Sequence, residues 1–154
     1  MNYKLSYLKD VLGNNYIGIK YNEADVEGFL MQLIDHVGSD KFETLTLNQQ
    51  KRDKGFHTTV LSVMEYNRAI KDLGMDLFLK KLGGAFSLDI NDIEMLGVGT
   101  TERNGNVTYY VVVKSDMLDE VRNSLGFGNK DLHITIGFDK KDVFGRCKDE
   151  TTLI

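Results

Sequence analysis

The sequence contains no proline, no tryptophan, one cysteine and three histidines, and each scarcity excludes something. A lone Cys147 forms no intrachain disulfide, so burial and hydrogen bonding must hold the fold. In "FGRCKDE" it reads as an incidental surface thiol. Without proline, turns fall to Asn, Asp and the 15 glycines. No run approaches the roughly 18 apolar residues of a membrane span. The opening "MNYKLSYLKD" lacks the apolar stretch of an export signal, so a cytoplasmic protein is expected. There is no CxxC, no HExxH and no obvious acidic cluster, and neither a metal nor another cofactor is expected. The formal charge of −4 and a pI near 5.4 argue against the broad cationic surface that long nucleic acid requires. A short nucleotide, held by a few well-placed groups, is compatible with that charge.

What is present suffices for one core. With 154 residues, 42% of them hydrophobic, residues 1–154 are read as a single domain. After an amphipathic opening, "YIGIKY" (16–21) alternates as a strand does. A helix follows from the Asn22 cap, with Val26, Phe29, Leu30, Leu33, Ile34 and Val37 at helical spacing before Gly38. "KFETLTL" is expected as a second strand and "NQQKRDKG" as a loop. From Tyr66 to Leu82 the spacing predicts a helix interrupted at Gly74 and closed by Gly83 and Gly84. The stretch from Ala85 to Ser115 reads as strands, with Asn104-Gly105 at the centre of a hairpin turn. A helix capped by Ser115 or Asp116 then runs to Gly126 and delivers the chain to "DLHITIGF". The pattern is α+β, helices covering one side of antiparallel sheets. Two comparable halves suggest an internal pseudo-repeat.

Two of the three histidines occupy matching settings. In "FHTTV", His57 and Thr59 share one strand face, opposed by Phe56, Thr58 and Val60. In "LHITI", His133 and Thr135 share a face, opposed by Leu132, Ile134 and Ile136. If the strands lie near each other, the four polar side chains converge. Imidazole titrates near neutrality, so one neutral ring can take a proton while a second, protonated ring gives one, as cleavage of a phosphodiester requires. Threonine hydroxyls can donate to nonbridging phosphate oxygens. A single His-x-Thr carries almost no information; a pair, each in an apolar strand, carries a good deal. The third, His36, lies near a helix C-terminus, where a cation suits the dipole, and is read as structural or superficial.

These paired motifs resemble those of the 2H phosphoesterase superfamily, which includes the LigT-like RNA phosphodiesterases. "YIGIKY" with its helix, "IEMLGVG", "VTYYVVVKS" and the capped helix are similar to the elements around the motifs in that family. The resemblance implies a bilobal fold, two antiparallel sheets with outer helices around a central cleft, one motif from each lobe. It implies that His57 and His133 are the acid and base, in an order left open, and that Thr59 and Thr135 hold phosphate. The run "HITIGFDKKDVFG" looks more like the small viral members than the bacterial enzymes, which usually carry a basic residue where Gly137 and Phe138 stand. Some phage relatives cleave the cyclic oligonucleotide signals of CBASS immunity. The expected activity is therefore metal-independent cleavage of cyclic or short oligoribonucleotides. The alternatives are a 2′,3′-cyclic phosphodiesterase or 2′,5′-ligase-like RNA-end processing enzyme, or a noncatalytic nucleotide sponge. Tyr16 and Lys20 share a face of the first strand; they are candidates to stack on a base and meet phosphate, or an edge aromatic and a solvated cation. Lys140, Lys141, Arg146 and Lys148, after the second motif, are either hydrated surface or part of the binding site.

Overall fold

Local signals set most element boundaries in the computed structural model, which describes residues 1–154. Strands β1 (Leu5–Lys9) and β2 (Asn15–Tyr21) precede helices α1 (Glu23–Val37) and α2 (Ser39–Asp53). Strand β3 (Phe56–Leu61) is followed by α3 (Val63–Leu73) and α4 (Met75–Phe86). Strands β4 (Glu94–Arg103) and β5 (Asn106–Lys114), helix α5 (Asp116–Ser124) and strand β6 (His133–Phe138) complete the order. The strands form two three-stranded antiparallel sheets, ordered β1-β2-β3 and β4-β5-β6, so the α+β class expected from the sequence holds.

Four boundaries differ from expectation. The amphipathic opening is a strand, with Leu5 and Leu8 buried. "KFETLTL" and most of "NQQKRDKG" are one helix, α2, because Leu45 and Gln49 bury at helical spacing while Leu47 is 52% exposed, which a strand would not produce. The helix expected from Tyr66 starts earlier, at Val63, and is interrupted at Gly74 as expected, giving two helices. Gly74 has φ +82, as Gly38 has +87 between α1 and α2; both junctions need a left-handed backbone that costs glycine little. Finally, α4 runs through Gly83 and Gly84 to Phe86, so "AF" is helical. The hairpin turn is where it was expected: Asn104 and Gly105 both have positive φ, as a type I′ turn demands.

The chain sorts into two compact units, each assembled from three stretches. In the first (1–20, 59–94 and 114–130), Tyr66 meets Phe78 edge-on at 5.2 Å and Tyr7 meets Phe86 at 4.9 Å. Here Arg122 is buried, donating to both oxygens of Glu65 at 2.9 and 2.8 Å, to the Val60 carbonyl at 2.6 Å and to the Gly128 carbonyl at 2.8 Å. The same Glu65 accepts the Ser62 N–H and an Nζ–H of Lys130. One guanidinium thus ties the end of β3 to the loop that leads toward β6.

The second unit (21–58, 95–113 and 131–154) packs α2 across β6. The approach is close at Gly137, where a Cβ would lie 2.9 Å from Leu45 Cβ and 3.2 Å from its carbonyl carbon. The neighbour is helix backbone, so nothing cheap can yield. Gly137→Ala is therefore expected to cost about 1–3 kcal/mol in urea unfolding, whereas Gly128→Ala, with open space around it, should be near neutral. Equal stability of the two variants would contradict the close packing.

Candidate active site

The site is built on a buried carboxylate. Asp142, 6% exposed, lies in the segment after β6 and receives donors from four places in the second unit. Arg52 on α2 donates from Nη1 to Oδ2 at 2.7 Å, and Lys148 donates from Nζ to Oδ1 at 3.2 Å. The hydroxyls of Thr108 on β5 and Thr135 on β6 donate to Oδ1 at 2.9 Å and Oδ2 at 3.2 Å. Burial alone would raise this carboxyl's pKa, but Lys148 and Arg52 hold it down at about 2. Arg52 is itself oriented: it also binds Asp53, and its guanidinium lies 5.0 Å from the centre of the Phe138 ring.

Both motif histidines belong to this unit. His133, the first residue of β6, has Nδ1 at 2.7 Å from the Asp131 carbonyl oxygen and its ring edge-on to Tyr110 at 5.7 Å. A carbonyl only accepts, so Nδ1 carries the proton and Nε2 of the neutral ring is a bare acceptor. Burial pushes the His133 pKa down to about 4, aided by the ammonium of Lys148; the Asp131 carbonyl and Asp142 oppose the fall, and His57 adds to it. His57, half-buried on β3, is also lowered by burial, with Asp53 and Asp142 opposing and Arg52 reinforcing. The two imidazoles therefore sense each other and share one carboxylate: a charge on either ring disfavours a charge on the other.

The other sequence candidates are placed differently. The motifs lie one on each sheet, as expected, His57 and Thr59 on β3 and His133 and Thr135 on β6; by contacts the boundary between units falls between Thr58 and Thr59, so Thr59 groups with the first unit. Thr59 is half-buried and its hydroxyl has no partner in the protein. Thr135 is buried and its hydroxyl proton is committed to Asp142, which leaves lone pairs rather than a donor. Tyr16 is half-buried and Lys20 exposed on β2, both in the first unit. His36 is exposed on α1, edge-on to Tyr109 at 6.2 Å.

Arg52, Asp53 and Asp142 went unnoticed in the sequence, and Lys148 was one of four tail cations. A signal for Arg52 existed: Leu45, Gln49 and Arg52 fall at i, i+4 and i+7, one face of a helix. One set of donors has the composition for a cation. Asp131, Cys147 and Asp149 bring a carboxylate oxygen each and a thiol within 4.8 Å of one another. Both carboxylates already accept N–H groups, of Lys148 and Thr151, which accounts for their positions without an ion.

A family model described as the Swiss Army Knife 2H phosphoesterase domain matches residues 16–144. The chain belongs to the 2H phosphoesterase family. No curated protein and no solved structure gave a significant match. Membership supports chemistry on phosphodiester bonds, hydrolysis or ligation, and a nucleic-acid-related substrate. The match spans both His-x-Thr motifs, Arg52 and Asp142, and ends before Lys148. No helix is long and apolar enough to cross a membrane.

The depressed imidazole has a consequence for stability. Below pH 6.5 the unfolded chain protonates His133 while the native chain resists down to about pH 4, so stability is full above that window and falls within it. The expected loss is on the order of 3 kcal/mol at most for this residue. Asp142 and Glu65, held at about 2, lose their contributions only below the ordinary carboxylate range. Chemical denaturation of His133→Gln between pH 4 and 7 should show a flatter profile than the parent chain; parallel profiles would contradict the burial of a neutral ring.

Proposed function

We propose that this 2H phosphoesterase is a metal-independent phosphodiesterase acting on cyclic or short oligoribonucleotides, with His57 and His133 as its acid and base. What supports this most is that the second unit holds both motif imidazoles together with the buried Asp142 carboxylate and the cations Arg52 and Lys148 that bind it. In the reaction, one imidazole accepts the proton of a ribose 2′-hydroxyl as its oxygen bonds to phosphorus. The other gives its proton to the departing 5′-oxygen as the P–O bond breaks. The products are a 2′,3′-cyclic phosphate and a free 5′-hydroxyl. Water, activated in the same way, can then open the cyclic phosphate. Arg52, already fixed by two carboxylates and by Phe138, retains N–H groups not used within the protein and is the cation best suited to the phosphate.

A net charge of −4 favours a small substrate over a long polyanion. The setting that goes with this reading is a phage protein degrading cyclic nucleotide signals of host CBASS immunity; it rests on the sequence resemblance of the second motif region.

His57→Ala and His133→Ala are each expected to lower turnover of a cyclic dinucleotide by about 10²–10⁴-fold in excess chelator, with folded protein confirmed by circular dichroism. Turnover unchanged in either variant removes the mechanism. A preference for a tRNA fragment ending in a cyclic phosphate would move the assignment to RNA-end processing, and recovery of bound nucleotide intact would make the protein a sponge.

A further inference from the structure

We propose that Lys148 is a positioning residue that, together with the Asp131 backbone, holds His133 as the neutral Nδ1–H tautomer and so makes it the general base, leaving His57 as the acid. The inference rests on the two-histidine reading but concerns a residue beyond the segment matched by the family model.

The geometry that carries it is a closed set of contacts in the second unit. Asp131 binds both partners, its carbonyl facing His133 Nδ1 at 2.7 Å and its carboxylate accepting the Lys148 N–H at 3.0 Å. Tyr110 is flanked by both, with the His133 ring at 5.7 Å and the Lys148 ammonium at 5.5 Å from its ring centre. Asp142 anchors the ammonium at 3.2 Å, and Phe144 lies 5.6 Å from it. The lysine side chain is 5% exposed, so its charge reaches its neighbours through little water.

The groups around His133 all bear on its charge. Lys148 opposes protonation and so does His57 on β3; Asp142 and the Asp131 carbonyl favour it, and Tyr110 on β5 packs edge-on. Arg52 on α2 divides Asp142 with Lys148, which weakens the carboxylate's pull on the ring. The result is a ring that stays neutral with Nε2 bare. His57 differs in its neighbours: burial lowers its pKa too and Arg52 adds to the fall, but two carboxylates, Asp53 and Asp142, favour the protonated form. With the His133 ring held neutral by the Asp131 carbonyl contact, the proton to be donated falls to His57.

The test has two readouts. In the chain with ¹⁵N-labelled histidine, long-range ¹H–¹⁵N spectra at pH 7 should show His133 with Nδ1 protonated and Nε2 bare. Titration in Lys148→Met should move the His133 midpoint up by about one pH unit, while Lys148→Arg, which keeps the charge, should leave it close to the parent value. If a phosphodiester is turned over, the acid limb of kcat/KM should move with it. An Nε2–H tautomer overturns the proposal, as does a midpoint unmoved in Lys148→Met or moved equally in Lys148→Arg. Should Lys148→Met fail to fold, the tautomer of the parent chain decides. Both spectral readouts need no turnover, so they stand apart from the fate of the phosphodiesterase reading.

Discussion

The Asp142 carboxylate is the interaction on which the site depends. A carboxylate with 4% of its side chain exposed is costly unless its oxygens are satisfied, and here two cations and two hydroxyls satisfy them. Such a cluster is weak evidence for stability, because desolvation consumes most of the Coulomb gain. Its value is geometric. It draws α2, β5, β6 and the following segment to one point, and the imidazoles feel its field.

Close packing sets the remaining tolerance. Gly137 lets α2 approach β6, which brings Arg52 to Asp142 and Phe138 under the guanidinium. This gives a physical reason for the departure noted in the second motif, where a basic residue is absent: a long side chain at 137 would collide with Leu45. Arg52, on the helix at the other side of that contact, is a cation that reaches Asp142.

Much of the fold was legible because its signals are local. Asn104-Gly105, the Ser115 cap and the alternation of β2 and β6 each encode their element within a few residues. Helix α2 was not, since "KFETLTL" satisfies a period of two almost as well as 3.6 and its later half is too polar for either. What resolves it is tertiary: Gln49 is buried with its amide donating to the Gly55 carbonyl, an outcome that no propensity announces. The same misreading hid Arg52. The histidines were legible from a repeated short motif, but their partners were not, because Asp142 and Lys148 are chemically ordinary surface residues until folding removes them from water. Thr135 shows the limit of motif reasoning: the spacing places its hydroxyl on the expected face, and only the structure reveals the acceptor waiting there.

The central claim is that His57 and His133 flank one phosphodiester. The most direct measurement is an NMR titration of both imidazoles with a dinucleotide that lacks the attacking 2′-hydroxyl and so cannot be cleaved by that route. The account predicts that both resonances move along one saturation curve and that binding raises the proton affinity of His57. Movement of one ring alone, or of the two along different curves, would contradict it.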